Sequence, residues 1–143
     1  SEILILGTMP GKESLRSKEY YASPNNSFWK IMKRLFNSNM EFKDYEEKIS
    51  CLKKHHIALW DTLQSCERES SLDSNIKEEE YNDIDDLLSR YPQIKKVIFN
   101  GKKAANYYKT RLPSSIAYST SNACAKKVEE KIQNWSNVLN AKY

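Results

Sequence analysis

Apolar residues fall along this chain in short blocks whose period changes from one block to the next. Ile3-Leu4-Ile5-Leu6 is an apolar run without alternation, ending at Gly7-Thr8-Met9-Pro10-Gly11. Such a run predicts a strand buried on both faces, as in a parallel sheet. Phe28, Ile31, Met32, Leu35 and Phe36 then repeat at the spacing of one helical face. Pro24 marks the turn before that helix, and Asn25 or Asn26 caps it. A polar helix is expected from about Phe42 to Lys54, then a second strand over His56–Trp60. Asp61 to Asn75 has loop chemistry, rich in Asp and Ser. A helix over Ile84–Tyr91 stops at Pro92. Val97-Ile98-Phe99 predicts a third strand ending at Asn100-Gly101, and Ala104–Leu112 a further helix. Ser115–Tyr118 is a weaker fourth strand, running into Ser119-Thr120-Ser121-Asn122. Val128, Ile132, Trp135 and Leu139 share one face of a last helix.

Strands that alternate with helices imply parallel, right-handed crossovers. The expected fold is therefore α/β: a three-layer α/β/α sandwich around a central, mostly parallel sheet of about four strands. The length of 143 residues fits one domain spanning 1–143. No stretch approaches the roughly 18 apolar residues of a membrane span. No basic-then-apolar leader precedes Ile3, so a cytoplasmic setting is expected. Cys51, Cys66 and Cys124 are far apart and form no CxxC pair. Free thiols in a reducing compartment are expected, rather than a zinc site or a four-thiolate iron–sulfur cluster. Lys and Arg total 23 against 19 Asp and Glu, a net charge of +4. That surplus suits a weak preference for polyanions.

In open α/β sheets ligands bind outside the carboxyl ends of the strands. The candidate chemistry sits there, in the loops at Gly7, Asp61, Asn100 and Ser119. The Gly7–Gly11 turn can cradle an anion on backbone amides, but it lacks the ending of a Walker loop. Read alone, it is a tight structural turn. Tyr20 and Tyr21 lie beside Asn25 and Asn26 in a polar loop. A ring there can stack on a base, and an amide can orient water or read a base edge. The plainer reading packs both rings under the loop and leaves Asn26 as a helix cap. Asn100 presents either a base-reading amide or a turn residue. Lys102 and Lys103 meet phosphates or are simply solvated. Asp61 reads as a general base or a loop cap. Glu67 or Asp73 pairs with Arg68, and Glu78-Glu79-Glu80 is a solvated face. His55 and His56 stand at the strand entrance, the wrong end for chemistry. Ser119–Asn122 suits phosphate contact or a helix cap.

Together these segments resemble the uracil-DNA glycosylase superfamily. LILGTMPG resembles its first motif, and YYASPNNSFWKIM resembles the FAHPxNxFW segment of the mismatch-specific uracil/thymine-DNA glycosylases. LWDTLQSCERESSLDSNI and VIFNGKKA are most similar to the hypoxanthine-DNA glycosylase (DNA-deoxyinosine glycosylase) branch, and STSNA occupies the place of the second motif. The resemblance implies a partner, DNA carrying a deaminated base, whose damaged nucleotide is flipped into a strand-end pocket. It implies monofunctional hydrolysis of the N-glycosidic bond of hypoxanthine, uracil or both, leaving an abasic site in base excision repair. It implies that Tyr21 stacks on the base and Asn100 reads its edge, with Gly7, Met9 and Phe28 completing the pocket. Gly7, Met9 and Gly11 line the sugar side. Gly11, Lys102, Ser119, Thr120, Ser121 and Asn122 are the expected DNA and phosphate contacts. Met9 stands where many members carry a water-positioning Asn or Asp. The hypoxanthine branch shares that loss, so Asn26 is the expected catalytic residue. A monomer without cofactor or metal is implied. Two alternatives stay open: an inactive DNA-binding relative, which Met9 would explain, and a nucleotide-binding α/β domain.

Overall fold

A computed structural model describes residues 2–8, 20–21, 26–36, 42–67, 78–121 and 124–139, without the side chains of 63–67 and 78–81. Strands β1 (Ile3–Gly7), β2 (Ile57–Asp61), β5 (Lys96–Asn100) and β6 (Ser114–Ala117) form one sheet in the order β2-β1-β5-β6. Every pairing in it is parallel. Helices α1 (Phe28–Phe36), α2 (Tyr45–Lys54), α3 (Ile84–Arg90), α4 (Lys102–Tyr107) and α5 (Val128–Leu139) connect and cover it.

The strand runs divide between two cores because successive side chains point to opposite faces. Ile5, Ile57 and Ile98 pack with Phe28, Trp29, Ile31, Met32 and Leu35 of α1, Leu52 of α2, and Ile132 and Trp135 of α5. Leu4, Leu6, Val97 and Phe99 pack on the other face with Ile84 of α3 and Ala104 of α4. The three-layer expectation holds, with four parallel strands in the central sheet. Burying one such Leu or Ile contributes about 1.5–3 kcal/mol.

Several boundaries differ from the sequence reading for identifiable reasons. The polar helix begins at Tyr45, because the Asp44 carboxylate accepts the Glu47 N–H at 2.9 Å and caps it. Helix α4 runs only over Lys102–Tyr107, since Tyr108 turns extended. Leu112 joins the apolar core from the following loop, and its spacing imitates a longer helix. The stretch after Asp61 is not all loop. Leu63–Glu67 (β3) and Glu78–Tyr81 (β4) pair as a separate antiparallel ribbon. Backbone pairing builds that ribbon from a polar sequence with no apolar alternation. Arg68 and Asp73 lie outside the described residues.

Candidate active site

The carboxyl ends of the strands deliver one residue each to a common region. β1 ends at Gly7, directly opposite Asp61 at the end of β2. β5 ends at Asn100, opposite Ala117 of β6. The Asn100 amide ties three segments together. Its Nδ2 donates to the Tyr21 hydroxyl at 3.1 Å and to Thr120 Oγ1 at 3.0 Å. Its Oδ1 accepts the Thr120 N–H at 3.0 Å. Thr120 also accepts the Ser27 N–H on its carbonyl at 2.8 Å. The start of α1 is thereby fastened to the ends of β5 and β6.

The Tyr20-Tyr21 segment is held from below. Trp29 Nε1 donates to the Tyr20 carbonyl at 2.8 Å, and the Tyr20 N–H donates to the Tyr45 hydroxyl at 3.1 Å. Tyr21 adopts a φ of 56°, an uncommon conformation for a bulky residue. That turn lays its ring on Phe28, with centroids 4.1 Å apart and planes tilted by 26°. Phe28 meets Trp29 and Trp135 edge-on, so Tyr21 rests on a rigid aromatic stack.

Asn26 caps α1. Its Oδ1 accepts the Phe28 N–H at 2.9 Å, which fixes the amide orientation because an N–H only donates. No bond to a described residue occupies its Nδ2.

Asp61 is 6% exposed. Burial pushes its carboxyl up to about 7. The Tyr20 phenol is pushed up to about 12, by burial first and then by the charge of Asp61. Tyr21 rises for the same two reasons, partly opposed by its bond to Asn100. Both phenols therefore feel the charge of Asp61 and stay protonated at neutral pH. Among the described residues no group of His, Cys, Asp and Glu is arranged to hold a metal ion, and no helix is long and apolar enough to cross a membrane.

The uracil DNA glycosylase superfamily model matches residues 1–139. The chain belongs to the uracil DNA glycosylase superfamily. A hypoxanthine DNA glycosylase of Methanosarcina acetivorans is 40% identical over 124 residues, covering 80% of this chain and 78% of that protein. A hypoxanthine DNA glycosylase of Methanosarcina barkeri is 33% identical over 144 residues, covering 95% and 89%. A solution NMR structure from M. acetivorans, described as a candidate uracil DNA glycosylase, superposes with a TM-score of 0.82. It is 34% identical and covers 97% of this chain and 89% of that one.

Within this superfamily fold the site residues take distinct places. Gly7, Tyr21, Asn100 and Thr120 converge, with Asn26 one residue from the Ser27–Thr120 bond. Phe28 is fully buried beneath Tyr21 and supports that ring. Thr120 is also fully buried, with its N–H, hydroxyl and carbonyl all bonded, and it ties the loops together. Ser119 and Ser121 are partly exposed, and the Ser121 carbonyl accepts from the buried Lys131 Nζ at 3.0 Å. Lys102 is exposed at the start of α4. Gly101 precedes it at φ 93°, and a Cβ there would lie 3.1 Å from the Ser119 Cβ. Met9, Gly11 and Asn122 lie outside the described residues. Asp61 belongs to the site although the motif reading gave it no role there. Its signal was present, an acid ending an apolar strand, but an exposed loop cap reads identically in sequence.

Gly7 tests this packing. A Cβ there would lie 2.7 Å from Asp61 Oδ1 and 3.2 Å from the Tyr21 hydroxyl. Gly7→Ala is expected to cost about 1–3 kcal/mol, the usual range for overpacking, in urea unfolding. An unchanged midpoint would mean that Asp61 swings aside freely.

Proposed function

We propose that this protein is a DNA glycosylase. It hydrolyses the N-glycosidic bond of a deaminated base flipped out of DNA, with hypoxanthine the preferred base, and leaves an abasic site for base excision repair. The observation that carries the reading is the convergence of Tyr21, Asn26, Asn100 and Thr120 at the strand ends of a uracil DNA glycosylase superfamily chain. The names of its M. acetivorans and M. barkeri relatives favour hypoxanthine.

The chemistry suits fixed dipoles. As the glycosidic bond lengthens, the sugar gains oxocarbenium character and the base gains electron density. Preorganised donors stabilise that charge without reorganising. The Tyr21 ring stacks on the flipped base, held by Phe28 below and Asn100 at its hydroxyl. Asn100 gives both of its N–H groups to Tyr21 and Thr120, so a base edge meets the remaining lone pair of its Oδ1. Asn26 points its amide donors at the base or the attacking water. Ser119, Ser121 and Lys102 meet phosphates beside the lesion, with Met9 and Gly11 on the sugar side and Asn122 extending the phosphate loop. The reading includes a cytoplasmic monomer that needs no cofactor.

Oligonucleotides carrying one deoxyinosine or deoxyuridine, treated with alkali after incubation, test the reading. Strand scission at deoxyinosine, faster than at deoxyuridine, is expected. Tight binding to the lesion with no scission at either base would overturn the enzyme in favour of a DNA-binding relative.

A further inference from the structure

Among the described residues, the site holds one acid that the amide-based reading leaves unused. Asp61 ends β2 in register with Gly7 and is nearly closed off from solvent. Its Oδ1 and the Tyr21 hydroxyl both crowd the point where a Gly7 side chain would start. The carboxyl therefore stands on the floor of the site, beside the phenol proposed to stack on the base. Its backbone is anchored independently: Asn82 Nδ2 donates to the Asp61 carbonyl at 2.7 Å. Among the described residues no hydrogen bond or ion pair takes the carboxyl itself.

A departing purine carries away the electron pair of the glycosidic bond. An ionised carboxylate beside it would oppose that charge, whereas a neutral carboxyl has a proton to give. We infer that Asp61 is the general acid of this reaction, donating its proton to a ring nitrogen of the leaving hypoxanthine as the bond from C1′ to N9 breaks. This rests on the glycosylase reading above. The bonding pair goes to the base, and the Asp61 proton makes it neutral hypoxanthine. Water forms the new bond to C1′, and the proton it releases restores the carboxyl. The net change is one water consumed, with free base and an abasic sugar formed.

The surroundings keep Asp61 in the neutral form that the step requires. It stays protonated up to about pH 7 because it is buried. Among the described residues, the ionisable groups that feel its charge are the phenols of Tyr20 and Tyr21, both raised well above neutrality. β1 offers Gly7, the residue after it is Thr8, β5 offers Asn100, and the loop after β6 offers Thr120, none of which titrates. α2 reaches the site through Tyr45, by way of Tyr20. Before α3, Asn82 is neutral and the Asp83 carboxylate is spent on the Asp86 N–H. His55 and His56 lie at the opposite end of β2.

The test is the pH dependence of kcat/KM for hypoxanthine release from a deoxyinosine duplex, for wild type and Asp61→Asn. The wild-type value is expected to fall about tenfold per pH unit above about 7. Asp61→Asn should lower kcat at least about 100-fold at about pH 6 and lose that alkaline fall. Its binding to a duplex with uncleavable 2′-fluoro-deoxyinosine should match wild type, as for a group needed only in the transition state. A level wild-type profile between about pH 5.5 and 9 overturns the assignment, and it does so without any variant. An Asp61→Asn enzyme that keeps the wild-type profile also overturns it. Wild-type protein that releases neither hypoxanthine nor uracil overturns the glycosylase reading itself, and this assignment with it.

Discussion

Hypoxanthine release is expected to fall about 100- to 1,000-fold when Asn26 becomes alanine, the usual cost of losing one donor to developing charge. Stability should fall by only about 1 kcal/mol, the worth of a helix cap. The two effects come from opposite ends of one amide. Oδ1 is committed to the Phe28 N–H, so it caps α1. Nδ2 is the end left to face substrate. A substitution series separates them. Asn26→Ser keeps a capping oxygen and discards the donors, so it should melt like wild type and react like alanine. Asn26→Asp also keeps the cap and adds favourable charge at a helix N-terminus. Its carboxylate would oppose the electron-rich leaving base, so its rate should be the lowest of the three. Single-turnover release and thermal melts on the same samples decide the matter. If Ser restores rate and melting point together, Asn26 is a cap and nothing more.

The parts of this fold legible in the sequence are those that burial alone determines. Ile3–Leu6 and Val97–Phe99 have no polar position because both faces of β1 and β5 are covered. The α1 stripe is equally plain, since Phe28, Ile31, Met32 and Leu35 all face the sheet. The β3–β4 ribbon was illegible because pairing of the backbone, rather than an apolar face, defines it. The end of α4 is not legible either, because Tyr108 and Leu112 pack on the core from a loop while keeping helical spacing.

At the site the same division holds. Polar residues just past apolar strands mark Asn100 and the Ser119–Ser121 loop in sequence. Their partners are not marked. Asn100 meets Tyr21 across 79 positions and Thr120 across 20. The burial of Thr120 and Phe28 follows from those distant contacts, which no local pattern encodes. The character of Asp61 is likewise a product of pairing. It depends on the missing side chain of Gly7, its neighbour in the parallel register.

That burial carries a stability cost with a definite pH signature. The Asp61 carboxyl is raised from 3.8 to about 7 by desolvation. Between those values the folded protein binds more protons than the unfolded chain, so stability falls as pH rises. The contribution is fully present below about pH 4 and is lost as pH passes about 7. A shift of roughly three units corresponds to about 4 kcal/mol at most. Asp61→Asn removes the ionisation while nearly preserving shape. It is expected to melt on the order of 10 °C above wild type at pH 8, by about half as much at about pH 5, and near wild type only below about pH 4. Calorimetry at these pH values measures this directly, and equal melting points at pH 8 would show that Asp61 ionises in the fold without penalty. The combination with the kinetic test is what carries weight. Asp61→Asn should be more stable and much slower at once, as expected of a destabilising group that serves the reaction. A merely structural acid predicts the opposite pairing: its removal would lower the melting point and leave the pH profile of base release where it was.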